Sequence, residues 1–229
     1  MKLFKRKSFW IDIVPMLGAG VLILYFAISR QQTLIKTLPT VITLVVQLLL
    51  IHANCYGFLL GGCNAVLYGF AGFTEGLYFS AISAAFISAP IQFFSFFNWK
   101  KQQNKKTTIL RFLPLPALLL WIIVIFAGWA FCHFVISPFF AGVAYPALDA
   151  LSFSIGIVSA VLASLGYVES QYINFFSCVI SLFIWIMLTI ANPANFNYII
   201  LSCYNLFCVI KTAIQWTIKY HQSKKESLT

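Results

Sequence analysis

Charge is what this sequence has least of: 9% of its 229 residues are charged, and only five of those are acidic. A soluble domain carries about 25%, because its surface faces water. With 61% hydrophobic residues, the side chains here have lipid or other side chains as their solvent. A soluble globular fold is excluded. Carboxylates are missing from the middle of every long apolar run. Asp12, Glu75, Asp149 and Glu169 fall near run ends, and Glu226 lies in the tail. Carriers coupled to protons or ions commonly need an ionisable relay within the membrane, and Lys211 is the candidate for one here. The six cysteines include no Cys-x-x-Cys pair, and His52, His133 and His221 show no ligand spacing. No metal or cofactor is therefore expected. Gly-x-Ser-x-Gly and His-Glu-x-x-His are also absent, which removes common marks of an intramembrane enzyme.

What the sequence does hold is a series of long apolar runs separated by basic clusters. The runs are about 9–28, 34–52, 56–74, 78–99, 113–136, 148–166, 172–190 and 198–219. Each approaches the roughly 20 residues a helix needs to cross the hydrocarbon layer. The first run, led by MKLFKRK, has the outline of a signal peptide. Its length, Asp12 and Pro15 favour a retained helix. The expected fold is all-α, with about eight membrane-spanning helices in the lipid bilayer.

The net charge of +10 forms no patch with interleaved aromatics, so no nucleic-acid partner is expected. The basic residues cluster as Lys2, Lys5, Arg6 and Lys7; as Lys100, Lys101, Lys105, Lys106 and Arg111; and as Lys219, Lys224 and Lys225. Eight alternating crossings with the N-terminus inside put all three clusters on the cytoplasmic side, as the positive-inside rule requires. Only Arg30 and Lys36 fall outside, and Lys211 lies within the last run. Both termini are expected in the cytoplasm of a plasma or inner membrane.

Two runs end alike, Phe97-Asn98-Trp99-Lys100 and Ile214-Gln215-Trp216 with Lys219 following. Each closes a group of three runs, and one run lies between the groups. That spacing gives both triplets the same orientation, a 3+1+3 arrangement of parallel repeats. The chain divides accordingly into a basic N-terminus and first helix (1–33) and a first triplet (34–101). A basic loop and linker helix (102–146), a second triplet (147–221) and a tail (222–229) follow.

Polar side chains recur at helical spacing inside these runs. Gly57, Gly61, Asn64 and Tyr68 share a face of the third run. Ser88, Gln92, Ser95 and Trp99 share one in the fourth. Gln171, Asn174, Cys178, Ser181 and Trp185 line up in the seventh, and Asn205, Thr212 and Trp216 in the last. Such residues hydrogen-bond between packed helices or line a wet passage. Amides read hydroxyls and carboxamides, and Trp or Tyr stacks on a flat heterocycle. The set suits a nucleoside-like or vitamin-like solute better than an inorganic ion. Lys211 shares a face with Cys208 and Gln215. It either snorkels to the interface or attracts an anionic group on the solute. The candidate solute-binding residues are Asn64, Tyr68, Ser88, Gln92, Trp99, Asn174, Ser181, Trp185, Asn205, Lys211 and Gln215.

With these residues in place, the chain resembles the PnuC family of vitamin-precursor transporters. GFLLGGCNAVLYGFAGFTEGLYFSAISAAFISAPIQFFSFFNWKK (57–101) is similar to the family's first triplet, with its Gly-x-x-Asn, Leu-Tyr and Gly-Leu-Tyr pattern and Trp-Lys ending. LDALSFSIGIVSAVLASLGYVESQYINFF resembles the opening of the second triplet, with Asp149, Ala150 and Glu169 in place. The resemblance spans about 34–220. It implies a fold related to SWEET sugar exporters and facilitated diffusion, with a cytoplasmic kinase trapping the solute by phosphorylation. The family's Glu-x-Trp-x-x-Trp stands here as Glu169, Gln171 and Asn174, and an Asn and a Gly of its pattern fall on Cys208 and Thr212.

The expected function is uptake of nicotinamide riboside or a related nucleoside-like vitamin precursor. Thiamine, riboflavin or a deoxynucleoside fit the same architecture. A membrane scaffold or a subunit of an ATP-driven importer is the competing class, with the basic 100–111 loop as its docking site. The sequence is compatible with a homo-oligomer.

Overall fold

The structure, a computed structural model, describes residues 7–104, 110–140 and 142–226. The topogenic residues Lys2, Lys5, Arg6, Lys105 and Lys106 lie outside the described residues. The described residues are mostly helical, with eight helices long and apolar enough to cross a membrane. They are α1 (Lys7–Ser29), α2 (Leu34–Ile51), α3 (Tyr56–Thr74), α6 (Pro146–Ser164), α7 (Glu169–Ala191) and α8 (Phe196–Glu226), together with two compound helices. Helix α4 runs from Tyr78–Ile82 through a π turn at Ser83–Ser88 into Ala89–Asn104, and α5 from Leu115–Ala130 into a π turn at Phe131–Ile136. The expected spans all form, with ends moved by a few residues. Helix α5 starts at Leu115 because Pro114 caps it in an extended conformation and cannot donate into a helix. Helix α8 runs on past the expected end at Lys219 to Glu226.

Six helices close a ring. In order around it, α2 packs on α3, α3 on α4, α4 on α6, α6 on α7, α7 on α8, and α8 on α2. Helix α5 lies outside the ring against α6, and α1 lies outside it against α2 and α8. Burial agrees, since only 17% of the apolar window of α1 and 11% of that of α5 is buried within the protein. Their remaining surface, including Val14, Val21, Ile28, Leu120, Ile123 and Phe126, is exposed. An apolar surface that broad belongs in hydrocarbon.

The acidic residues at helix ends fasten the ring. Asp149, fully buried near the start of α6, accepts the Phe79 and Ser80 amides at 3.0 and 3.1 Å and the Ser80 hydroxyl. It thereby caps the start of α4, where free N–H groups have no intrahelical partner. Glu169 at the start of α7 accepts the Leu113 amide at 2.9 Å and so anchors the entry to α5. Glu75, closing α3, bridges Lys36 on α2 and Asn195 ahead of α8. In lipid each unsatisfied backbone group costs several kcal/mol. Asp149→Ala, which orphans two amides, is expected to cost about 2 kcal/mol or more, read as a lower unfolding midpoint of the detergent-purified protein. An unchanged midpoint would contradict the capping role.

Candidate functional site

Within the ring lies a cavity of about 360 Å³, and all six ring helices contribute to its wall. Neither α1 nor α5 reaches it. The sequence stripes converge there, with Asn64 and Tyr68 from α3, Ser88 and Gln92 from α4, Asn174 and Ser181 from α7, and Asn205 from α8. A smaller space of about 160 Å³ adjoins it, sharing Tyr68, Ala84, Ser88, Ser177 and Ser181, and adds Trp185. The π turn of α4 ends at Ser88, a residue of both walls. Turns of this kind recur at functional sites because they re-aim side chains.

Helix α2 supplies wall residues absent from the candidate set, Thr43 and Gln47. They extend a Thr40, Thr43, Gln47 stripe at i, i+3 and i+7, a signal present in the sequence but short. Ser159 and Ser170 near the α6–α7 connection complete the wall opposite. Gln171, on the α7 stripe, lines it as well.

The amides are held unequally. Asn64 donates to the Pro39 carbonyl at 3.1 Å and to the Thr43 hydroxyl at 2.8 Å, which fixes its orientation. Its Oδ1, like that of Asn205, is buried without a hydrogen-bond partner. A buried polar atom without a partner costs about 1–3 kcal/mol, so these two acceptors in one cavity wall are free to accept a hydrogen bond. No Asp, Glu, Lys, Arg or His lines either cavity among the described residues. The site is neutral and rich in hydroxyls and amides.

Aromatic pairs stand toward both ends. Toward the end where α1 begins and α8 ends, Trp99 and Trp216 meet with ring centroids 5.3 Å apart, and Phe58 packs edge-on to Trp99 at 5.0 Å. Both indoles are 1% exposed, and both Nε1 groups lack a partner. The paired endings seen in the sequence therefore touch each other. Toward the other end Trp185 stacks on Tyr198 at 3.9 Å, and Tyr68 meets Tyr198 edge-on at 6.3 Å.

Three candidates are placed elsewhere. Trp99 lies behind Trp216 and outside both cavity walls, and Gln215 is half-buried away from them. Lys211 faces α1, where its amine forms an ion pair with Asp12 and stands 5.6 Å over the Phe207 ring. His52 Nε2 lies 3.2 Å from the other Asp12 oxygen. The structure thus seats Lys211 in an ion pair between helices rather than in a solute contact. Asp12 read from the sequence as a span-end carboxylate, yet it is 1% exposed and joins α1 to the ring.

A ring of apolar helices around a neutral polar chamber is suited to carrying a solute across a membrane. The family model for the nicotinamide mononucleotide transporter matches residues 33–218, and the chain belongs to that family of vitamin-precursor transporters; it is not an enzyme. No curated protein matches the chain. Among solved structures it is similar to one described as the crystal structure of the vitamin B3 transporter PnuC, with a TM-score of 0.78 at 18% identity. That likeness covers 93% of this chain and 92% of the other, and it establishes the fold.

Proposed function

We propose that the protein carries nicotinamide riboside, or a closely related nucleoside-like vitamin precursor, across the membrane by facilitated diffusion. The observation that carries this is the neutral amide-lined chamber with an aromatic pair toward each end. Ribose hydroxyls and a carboxamide offer donors and acceptors to Asn64, Gln92, Asn174 and Asn205. A cationic pyridinium ring gains from the faces of Trp216 and Tyr68. A phosphate group would be buried there with no cation to neutralise it, which is costly. The riboside is therefore the better cargo than its 5′-phosphate. The same neutrality supports trapping, since phosphorylation by a cytoplasmic kinase makes a product the chamber does not accept.

The order of helices around the ring supports two parallel triplets, α2–α4 and α6–α8, with α5 as the linker. Lys100, Arg111 and Lys219 all stand at the end where α1 begins and α8 ends, which we assign to the cytoplasm. Arg111 is engaged within the chain, donating to the Leu165 carbonyl at 3.0 Å and lying 4.5 Å from the Tyr167 ring. That favours an anchor over a docking loop.

Intrinsic fluorescence tests the substrate, because Trp216 borders the cavity and packs against Trp99. Nicotinamide riboside is expected to change the emission saturably, and the mononucleotide is expected to fail at the same concentrations. Saturable binding of thiamine, riboflavin or a deoxynucleoside in place of the riboside would contradict this choice of cargo.

A further inference from the structure

Gly61 and Gln92 face each other across the α3–α4 contact, and both belong to the cavity wall. The Oε1 atom of Gln92 occupies the place that a Cβ on residue 61 would take, with Val46 Cγ1 a further 3.3 Å neighbour of that position. The carboxamide has no hydrogen-bond partner among the described residues and borders the cavity. Its position is therefore set by shape, since no bond to the protein fixes it. Other glycines of α3 do different work. A Cβ on Gly69 would meet the Ala81 backbone carbonyl at 2.9 Å, where only a shift of helices could relieve it. At Gly61 the obstacle is the end of a flexible side chain, so the helices can stay in place while the amide turns away.

We propose that Gly61 is a positioning residue for the solute site: its missing side chain holds open the recess that seats the Gln92 carboxamide toward the solute. The proposal rests on reading the cavity as the place where the solute binds. A methyl group at residue 61 leaves every polar group of the site in the sequence and removes one from its place. Affinity falls and the fold remains. The effect passes through Gln92, so it must vanish when Gln92 has already lost its amide. Contacting residues show this kind of coupling in a double-mutant cycle, and independent residues do not.

The test uses full-length protein, with nicotinamide riboside as the probe and fluorescence as the readout. Gly61→Ala and Gln92→Ala are each expected to weaken binding by roughly three- to tenfold, the worth of one hydrogen bond. The Gly61→Ala/Gln92→Ala double variant is expected to bind as Gln92→Ala does. Multiplying losses would overturn the proposal. Gly69→Ala calibrates packing damage and is expected to lower the unfolding midpoint, whereas Gly61→Ala leaves it near wild type. An equal fall for both would also overturn the proposal. If the wild type does not bind the riboside, the choice of cargo fails separately. The positioning claim is then read from an experimental structure of Gly61→Ala. A carboxamide turned out of the cavity supports it, and one still bordering the cavity overturns it.

Discussion

Replacing Asp12 with Ala is expected to destabilise the protein by about 3–5 kcal/mol, the usual cost of stranding one member of a buried ion pair. Asp12 is 1% exposed, and its carboxylate faces both Lys211 and His52. Removing it leaves an ammonium group at a helix contact inside the membrane, 5.6 Å over the Phe207 ring. An Asp12→Leu/Lys211→Met double variant is expected to recover most of that loss, because two apolar side chains replace a pair that had to be desolvated. Unfolding midpoints of the purified variants measure this directly. The same double variant separates two roles for Lys211. If the lysine joins α1 to α8, the folded double variant takes up solute near the wild-type rate. If the lysine attracts an anionic solute, uptake collapses while the fold survives, and the ion-pair account of Lys211 is wrong.

The second large effect runs in opposite directions for function and stability. Asn174 and Asn205 stand on neighbouring helices α7 and α8 and border one cavity. Asn205 Oδ1 is buried with no partner. If the proposed site is right, replacing both with Leu removes two groups that read the solute and leaves its donors facing hydrocarbon. Two lost hydrogen bonds of about 1–1.5 kcal/mol each correspond to roughly 100-fold in affinity. Removing an unsatisfied buried acceptor, by contrast, relieves a desolvation cost, so the unfolding midpoint is expected to stay level or rise. Binding titrations and melting curves on the same sample give both signs. A parallel fall in stability and affinity would mean that these amides hold the helices together and do not serve the solute.

The architecture was legible because lipid imposes a simple rule on composition. Runs of about 20 apolar residues divided by basic clusters place every span within a few residues of where it forms. The polar stripes were legible for the same reason, since an amide at helical spacing in an apolar run stands out. Asn64, Gln92, Asn174 and Asn205 come from four helices and meet in one wall. Other features were hidden because they depend on which helices touch. Lys211 and Asp12 are 199 positions apart, and nothing in either run says that α1 lies against α8. Trp99 and Trp216 announce themselves as matching ends, but only the closed ring makes them neighbours and puts one behind the other. Thr43 and Gln47 were missed because α2 offers just a few polar groups, which resemble ordinary interhelical contacts. Gly61 reads as a small packing residue until the Gln92 side chain is seen to lie over it.

Equilibration of radiolabelled nicotinamide riboside into sealed proteoliposomes, with no ATP and no ion gradient, tests the central claim most directly. The account predicts saturable uptake that stops when the inside and outside concentrations match. It also predicts loss of about two orders of magnitude in apparent affinity in Asn174→Leu/Asn205→Leu. A vesicle that stays empty of riboside without ATP, or one that admits it equally well through the double variant, would contradict a carrier working through this cavity.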